Sequence, residues 1–300
     1  MDDDICPKFV VLRTYLPDNS GESSSGFFED SNSLNKYCPN KNCNTDLDKI
    51  TAGFLWLLEQ YCSISQKENY DESNINLFFL YIISWLSYKL NQNSKHNFTT
   101  INDFYTKHVN DNHKYNNFIN DASKFKNLKE TIDKKKDFLD INIYDMAKFY
   151  DSFKFLCSMH GNVAMGNYDE KLSNNAIHFF NKYTDINDYY NVEGTPHSQI
   201  LSALLTDYNK LKTNCASKIT NPKKFPSLPT GRATKSFLRN SSIQISVIPM
   251  TFIFCALLIY LGIVYKASKT QFKNQKNKEE NKSLICDSKS SDYFMNSNND

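Results

Sequence analysis

Residues Ile75 to Leu90 read INLFFLYIISWLSYKL, with seven consecutive hydrophobic residues from Leu77 to Ile83. Sixteen residues is long for a strand and right for a helix, and a helix apolar on nearly every face belongs in the middle of others. The stretch predicts the core helix of an all-α domain, capped by Ser73 and with Trp85 deep in the core. Ser84, Ser87 and Lys89 interrupt it, which makes a second membrane span the weaker alternative.

The flanking sequence supplies its neighbours. Thr45-Asp46-Leu47-Asp48 resembles a capping box with Asp for Glu, and Leu47, Ile50, Phe54, Leu57, Leu58 and Tyr61 follow at helical spacing, predicting a helix over 45–63. Thr100 opens a short helix with Ile101, Phe104 and Tyr105. The pattern Tyr115, Phe118, Ile119, Ala122, Phe125, Leu128 and Ile132 predicts a longer amphipathic one. Asn142 caps a helix that carries Phe149, Phe153 and Leu156 and ends near Gly161. Residues 168–190 repeat the period. Thr195-Pro196 starts the last helix, with Thr as N-cap and Pro at the first helical position.

Farther along, Ile243 to Tyr265 (IQISVIPMTFIFCALLIYLGIVY) runs 23 residues without a charge. At about 1.5 Å per residue it reaches roughly 34 Å, which predicts one C-terminal transmembrane helix. The expected organisation is a loop-like N-terminal segment at 1–33, a helical ectodomain at 34–218 and a juxtamembrane stalk at 219–242. The span at 243–265 and a disordered cytoplasmic tail at 266–300 complete it.

Of the chain's 35 basic and 33 acidic residues, 28 of each precede the span, so the large domain is formally neutral and nucleic acid is not an expected partner. Six of the eight cysteines (Cys6, Cys38, Cys43, Cys62, Cys157, Cys215) also precede it. An even set on one side points to disulfides and to a lumenal or extracellular face. Lys and Arg near the span number five before it and six after it, so loop charge alone barely orients it. The cysteines place the tail in the cytoplasm. Membrane lipid is then the one partner that the span itself implies.

The texts YDESNINLFFLYIISWLSYKLNQ (70–92) and INDFYTKHVN (101–110) resemble the central signature of the Plasmodium interspersed repeat variant antigens, rodent-malaria type. Matching segments follow in the family's order: KYCP and CNTDLDKITAGFLWL earlier, then FKFLCSMH, LLTDYNKLKTNC and YLGIVYK. The resemblance implies a surface antigen displayed on, or exported toward, the infected host cell, in its membrane or that of the parasitophorous vacuole. Its ectodomain would bind a host receptor or antibody and divert immunity. The alternative is a structural or trafficking protein of a parasite-made compartment membrane, with no host ligand.

Chemistry-bearing motifs are sparse. No Gly-rich phosphate loop, GxSxG elbow or HExxH occurs, and the six histidines are scattered. Cys157 and His160 with Cys38 and Cys43 form the only thinkable metal set. No enzyme, cofactor, metal or small-molecule substrate is expected, and no ligand-binding residue can be named. Lys134, Lys135 and Lys136 read as a solvated face. Asn97 lies in a glycosylation sequon between helices, whereas Asn240 abuts the span and Asn281 follows it. A helix over 45–63 holds Cys43 and Cys62 too far apart to bond. The expected pair is Cys157 with Cys215, leaving Cys6, Cys38, Cys43 and Cys62 to form two further bonds.

Overall fold

The computed structural model describes residues 1, 4–19, 32–68, 70–93, 96–218 and 225–232. The chain divides into two units, Met1–Ala233 and Thr234–Asp300, and the second lies wholly outside the described residues. In the first, six long helices carry the fold: α1 (Cys6–Tyr15), α2 (Asp46–Ser65), α3 (Glu72–Gln92), α4 (Tyr150–Ala164), α5 (Glu170–Tyr190) and α6 (Pro196–Cys215).

Helix α3 is the axis. Every side chain from Leu77 to Ser87 is buried, because α2, α4, α6 and the short helix Ile143–Ala147 all pack on it. Its cap is Asp71, whose carboxylate accepts the Ser73 backbone N–H at 2.9 Å, two residues before the expected one. Ser84 meets the cost of burial by donating to the Tyr81 carbonyl at 2.9 Å. Helix α2 begins with the expected box, Thr45 and Asp48 each accepting from the other's backbone. Asp48 also accepts the Tyr115 hydroxyl at 2.6 Å, which ties α2 to the connection beyond α3. Thr100 and Asn142, both caps, form an isolated antiparallel bridge, and Ile143 N–H donates to the Thr99 carbonyl at 2.9 Å.

The expected fold class needs correction at its C-terminal helix. Among the described residues no helix is long and apolar enough to cross a membrane. Even α3 carries Glu72, Asn74 and Asn76 at one end and Lys89, Asn91 and Gln92 at the other. Residues 243–265, on which the expectation rested, lie outside the described residues, as does the tail. The fold is therefore an all-α, disulfide-bonded domain.

Three further expectations change. The N-terminal segment holds α1, with Pro7 in its first turn and Phe9 and Leu12 buried. The Phe9 ring stacks on Tyr81 of α3 at 3.5 Å between centroids. The amphipathic helix expected over 115–132 is broken into Asn116–Ile119 and Leu128–Lys134. Between them Asp121 caps a local turn by accepting from Ser123, and Asn127 takes a left-handed φ of 61°. The stalk is not free over 225–232: Phe225 and Leu228 are buried, and the Pro226 carbonyl accepts the Tyr208 hydroxyl at 2.6 Å.

Candidate functional site

Two disulfides brace the domain. Cys6 joins Cys157, drawing α1 onto α4 with Cα atoms 5.3 Å apart, and Cys38 joins Cys43 with Cα atoms 4.9 Å apart. The expected Cys157 to Cys215 pair does not form, because α1 occupies the side of α4 that Cys157 faces. Cys62 and Cys215 are buried free thiols. Burial, and then the Glu59 charge, pushes the Cys62 thiol up to about 12, so it is unreactive in the folded chain. The metal set is excluded by this oxidation of Cys38, Cys43 and Cys157. Among the described residues no group of three or more His, Cys, Asp or Glu could hold a metal ion. His160 instead pairs with buried Asp207, Nε2 to Oδ2 2.7 Å, and the Met1 ammonium reaches the same carboxylate. Asn97 is exposed in the connection after α3. Asn240 and Asn281 lie outside the described residues.

Among the described residues, Val10, Val11 and Met165 line one groove, Tyr144 and Tyr189 are linked through Lys148 and Tyr190, and Val192, two residues past Tyr190, and Ile177 are also exposed. The groove runs between α1 and α4 over the Cys6–Cys157 bond. Its volume is about 540 Å³, and Pro7, Gly161 and Ala164 complete its walls.

The tyrosine group is built from the helix end Ile143–Ala147, the C-terminus of α5 and residue 232. Tyr144 is 58% exposed and Tyr189 67%. Lys148 knits the surface together: its ammonium lies 4.0 Å from the Tyr144 ring centroid and 5.4 Å from that of Tyr190. It also donates to the Tyr190 hydroxyl at 2.8 Å, and that hydroxyl donates to Asp145 at 2.6 Å. Burial, with the Asp145 hydrogen bond behind it, raises the Tyr190 pKa, which keeps the phenol protonated for this relay. Burial pulls the Lys148 ammonium down, but the Tyr190 hydrogen bond together with the charge interactions of Tyr190, Tyr144 and Asp145 outweighs it and the net direction is up. His197 stacks on the inner face of Tyr190 at 5.0 Å between centroids. Arg232 donates to the Tyr189 carbonyl at 3.2 Å and brings a second cation to the rim. The result is a pre-ordered aromatic surface with cations at its centre and edge. Such Tyr- and Arg-containing patches are the composition from which protein contacts draw most of their energy.

A third surface mixes polar and apolar side chains. A cleft of about 540 Å³ over the N-terminal half of α3 adjoins one of about 300 Å³ against α6, and Ser73, Asn76 and Gln199 line both.

Residues 6–266 match the family described as Plasmodium variant antigen protein Cir/Yir/Bir. The chain belongs to that family. No curated protein matches it, and no solved structure does. For a Cir/Yir/Bir variant antigen, the matched region takes in every helix described above and all three surfaces. The matched region includes the buried core helix α3. The tyrosine group was missed in the sequence because 18 Tyr and 22 Phe are spread along the chain. Helical spacing assigns most of them to the core, and Tyr144 and Tyr189 carry no local mark of exposure.

Proposed function

We propose that this chain is a surface-presented variant antigen that meets host proteins through Tyr144, Tyr189, Tyr190, Val192, Lys148 and Arg232. Membership of the variant antigen family supports the antigen role. One observation carries the contact assignment: Tyr144 and Tyr189 are more than half exposed on a surface whose cation and hydroxyls are already ordered. Tyrosine supplies contact area at low conformational cost, because only two side-chain torsions must be fixed. The remainder of the surface can vary without disturbing the packing of α3, which suits an antigen under immune selection. Two disulfides support presentation on an oxidising side.

Staining infected cells with an antibody against the helical domain tests the presentation. Signal without permeabilisation is expected. A signal that needs permeabilisation favours a structural or trafficking role inside a parasite-made compartment.

A further inference from the structure

Of the two adjoining clefts on α3, one is lined by Lys135 and the other by Lys210. Lys135 donates to Asn76 Oδ1 at 2.5 Å, and Lys210 donates to Ser73 Oγ at 3.1 Å. Ser73 and Asn76 are three apart on α3, so their Cβ atoms are about 5–6 Å apart on one face. The two ammonium groups therefore anchor on acceptors about one turn apart on α3.

Their environments differ. Lys210 pairs with Asp71 at 3.4 Å, with both groups about half exposed. Lys135 is half-buried and makes no ion pair among the described residues; its hydrogen bond goes to a neutral amide. Desolvation lowers its pKa, and the nearest negative influence is Glu72 at the cleft edge. A partly desolvated ammonium without a carboxylate gains when an anion arrives with its own hydrogen-bond acceptors. Other carboxylates near the cleft are engaged: Glu130 with Lys134, and Asp207 with His160. Beyond the lysines, the floor and walls offer Thr131, Gln199, Ser202 and Thr206, neutral donors and acceptors suited to hydroxyl groups. Tyr61, Ile75, Leu77, Phe138 and Ala203 supply the apolar part of the lining, on which the C–H face of a sugar ring can pack.

We propose that these adjoining clefts bind an acidic oligosaccharide, with a sulfate or carboxylate held between Lys135 and Lys210 and neighbouring hydroxyls against Asn76, Gln199, Ser202 and Thr206. This is a second binding site, separate from the tyrosine surface. It gives Lys135, the middle of the lysine run at 134–136, an anionic partner beside its bond to Asn76.

The test is titration of the purified full-length chain at about 0.15 M salt, where surface attraction is screened within about 8 Å. Probes are a heparin-derived hexasaccharide, an unsulfated chitin hexasaccharide, inorganic sulfate and a poly-glutamate peptide of similar charge. The sulfated hexasaccharide is expected to bind most tightly. Lys135→Gln and Lys210→Gln should each weaken it about fivefold or more, Lys135→Arg should restore much of the loss, and Lys107→Gln on another face should change nothing. Thermal melts of each variant establish that it is folded. Equal binding by poly-glutamate or by inorganic sulfate overturns the oligosaccharide assignment. Unchanged affinity in folded Lys135→Gln and Lys210→Gln overturns the site.

Discussion

Gly53 of α2 faces Trp85 of α3 at a distance that leaves no room for a side chain. A Cβ on Gly53 would lie 2.9 Å from Trp85 Cη2 and 2.8 Å from Leu16 Cδ1. This glycine is a seat: the Trp85 ring and the leucines of the N-terminal segment converge on it. Gly53→Ala normally strengthens a helix by up to about 1 kcal/mol. Here overpacking should win and destabilise the domain by about 1–3 kcal/mol. The shift of the urea unfolding midpoint measures it, and a stabilised variant would show that α1 does not dock here.

Trp85 itself is fully buried, with its indole N–H unpartnered. Trp85→Ala should cost about 3–5 kcal/mol. Trp85→Phe keeps much of the volume and drops the unpartnered donor, so it should cost less than half as much. Equal losses in the two variants would mean that the ring's volume is not what the site uses.

Covalent bracing is unequal between the two disulfides. Cys6–Cys157 closes a loop of 151 residues and Cys38–Cys43 one of 5. In the chain-entropy view these are worth about 5 and about 2 kcal/mol. Cys6→Ser with Cys157→Ser should therefore lower stability much more than Cys38→Ser with Cys43→Ser. Non-reducing peptide mapping should recover the Cys6–Cys157 peptide; a Cys157–Cys215 peptide would contradict the arrangement of α1 on α4.

Acid should weaken the fold through its hydrogen-bonded carboxylates. At Asp207 burial pushes the pKa up, but His160 and the Met1 ammonium outweigh it and hold the carboxyl below its usual value. Asp48 is likewise lowered, Tyr115 and Thr45 outweighing burial. With folded values below the unfolded value of about 3.9, their stabilisation is complete above that pH and is lost as pH falls through the folded values. Burial also holds His108 and His197 below the usual histidine value, so urea midpoints should decline slightly from pH 7 to 5 and fall further between about pH 4 and 2. The fall should be shallower in Asp207→Asn, and an identical slope would remove Asp207 from the explanation.

The main helices were readable because their signals are local and physical. The Thr45, Thr100, Asn142 and Thr195 caps all accept backbone N–H groups as expected. The periods of α2, α5 and α6 match their buried faces. What escaped was decided by partners far along the chain. Helix α1 has only the short run Phe9 to Leu12, and its place depends on Tyr81 and Cys157. The break at Asn127 depends on one left-handed residue inside a sequence with a good apolar period. Cys215 was the expected partner of Cys157, and finding Cys6 instead required knowing that α1 lies on α4. The tyrosine surface could not be read at all, since exposure of Tyr144 and Tyr189 is a property of the assembled domain.

The measurement that bears most directly on host contact through this surface is binding of the purified chain to host cells and to antibodies from infected animals. Tyr144→Ala with Tyr189→Ala removes the two exposed rings and leaves the Lys148, Tyr190 and Asp145 relay in place. Truncating such anchors should cost at least about 2 kcal/mol, or roughly thirtyfold in affinity, with an unchanged melting temperature. Undiminished binding by the folded double variant would contradict the assignment.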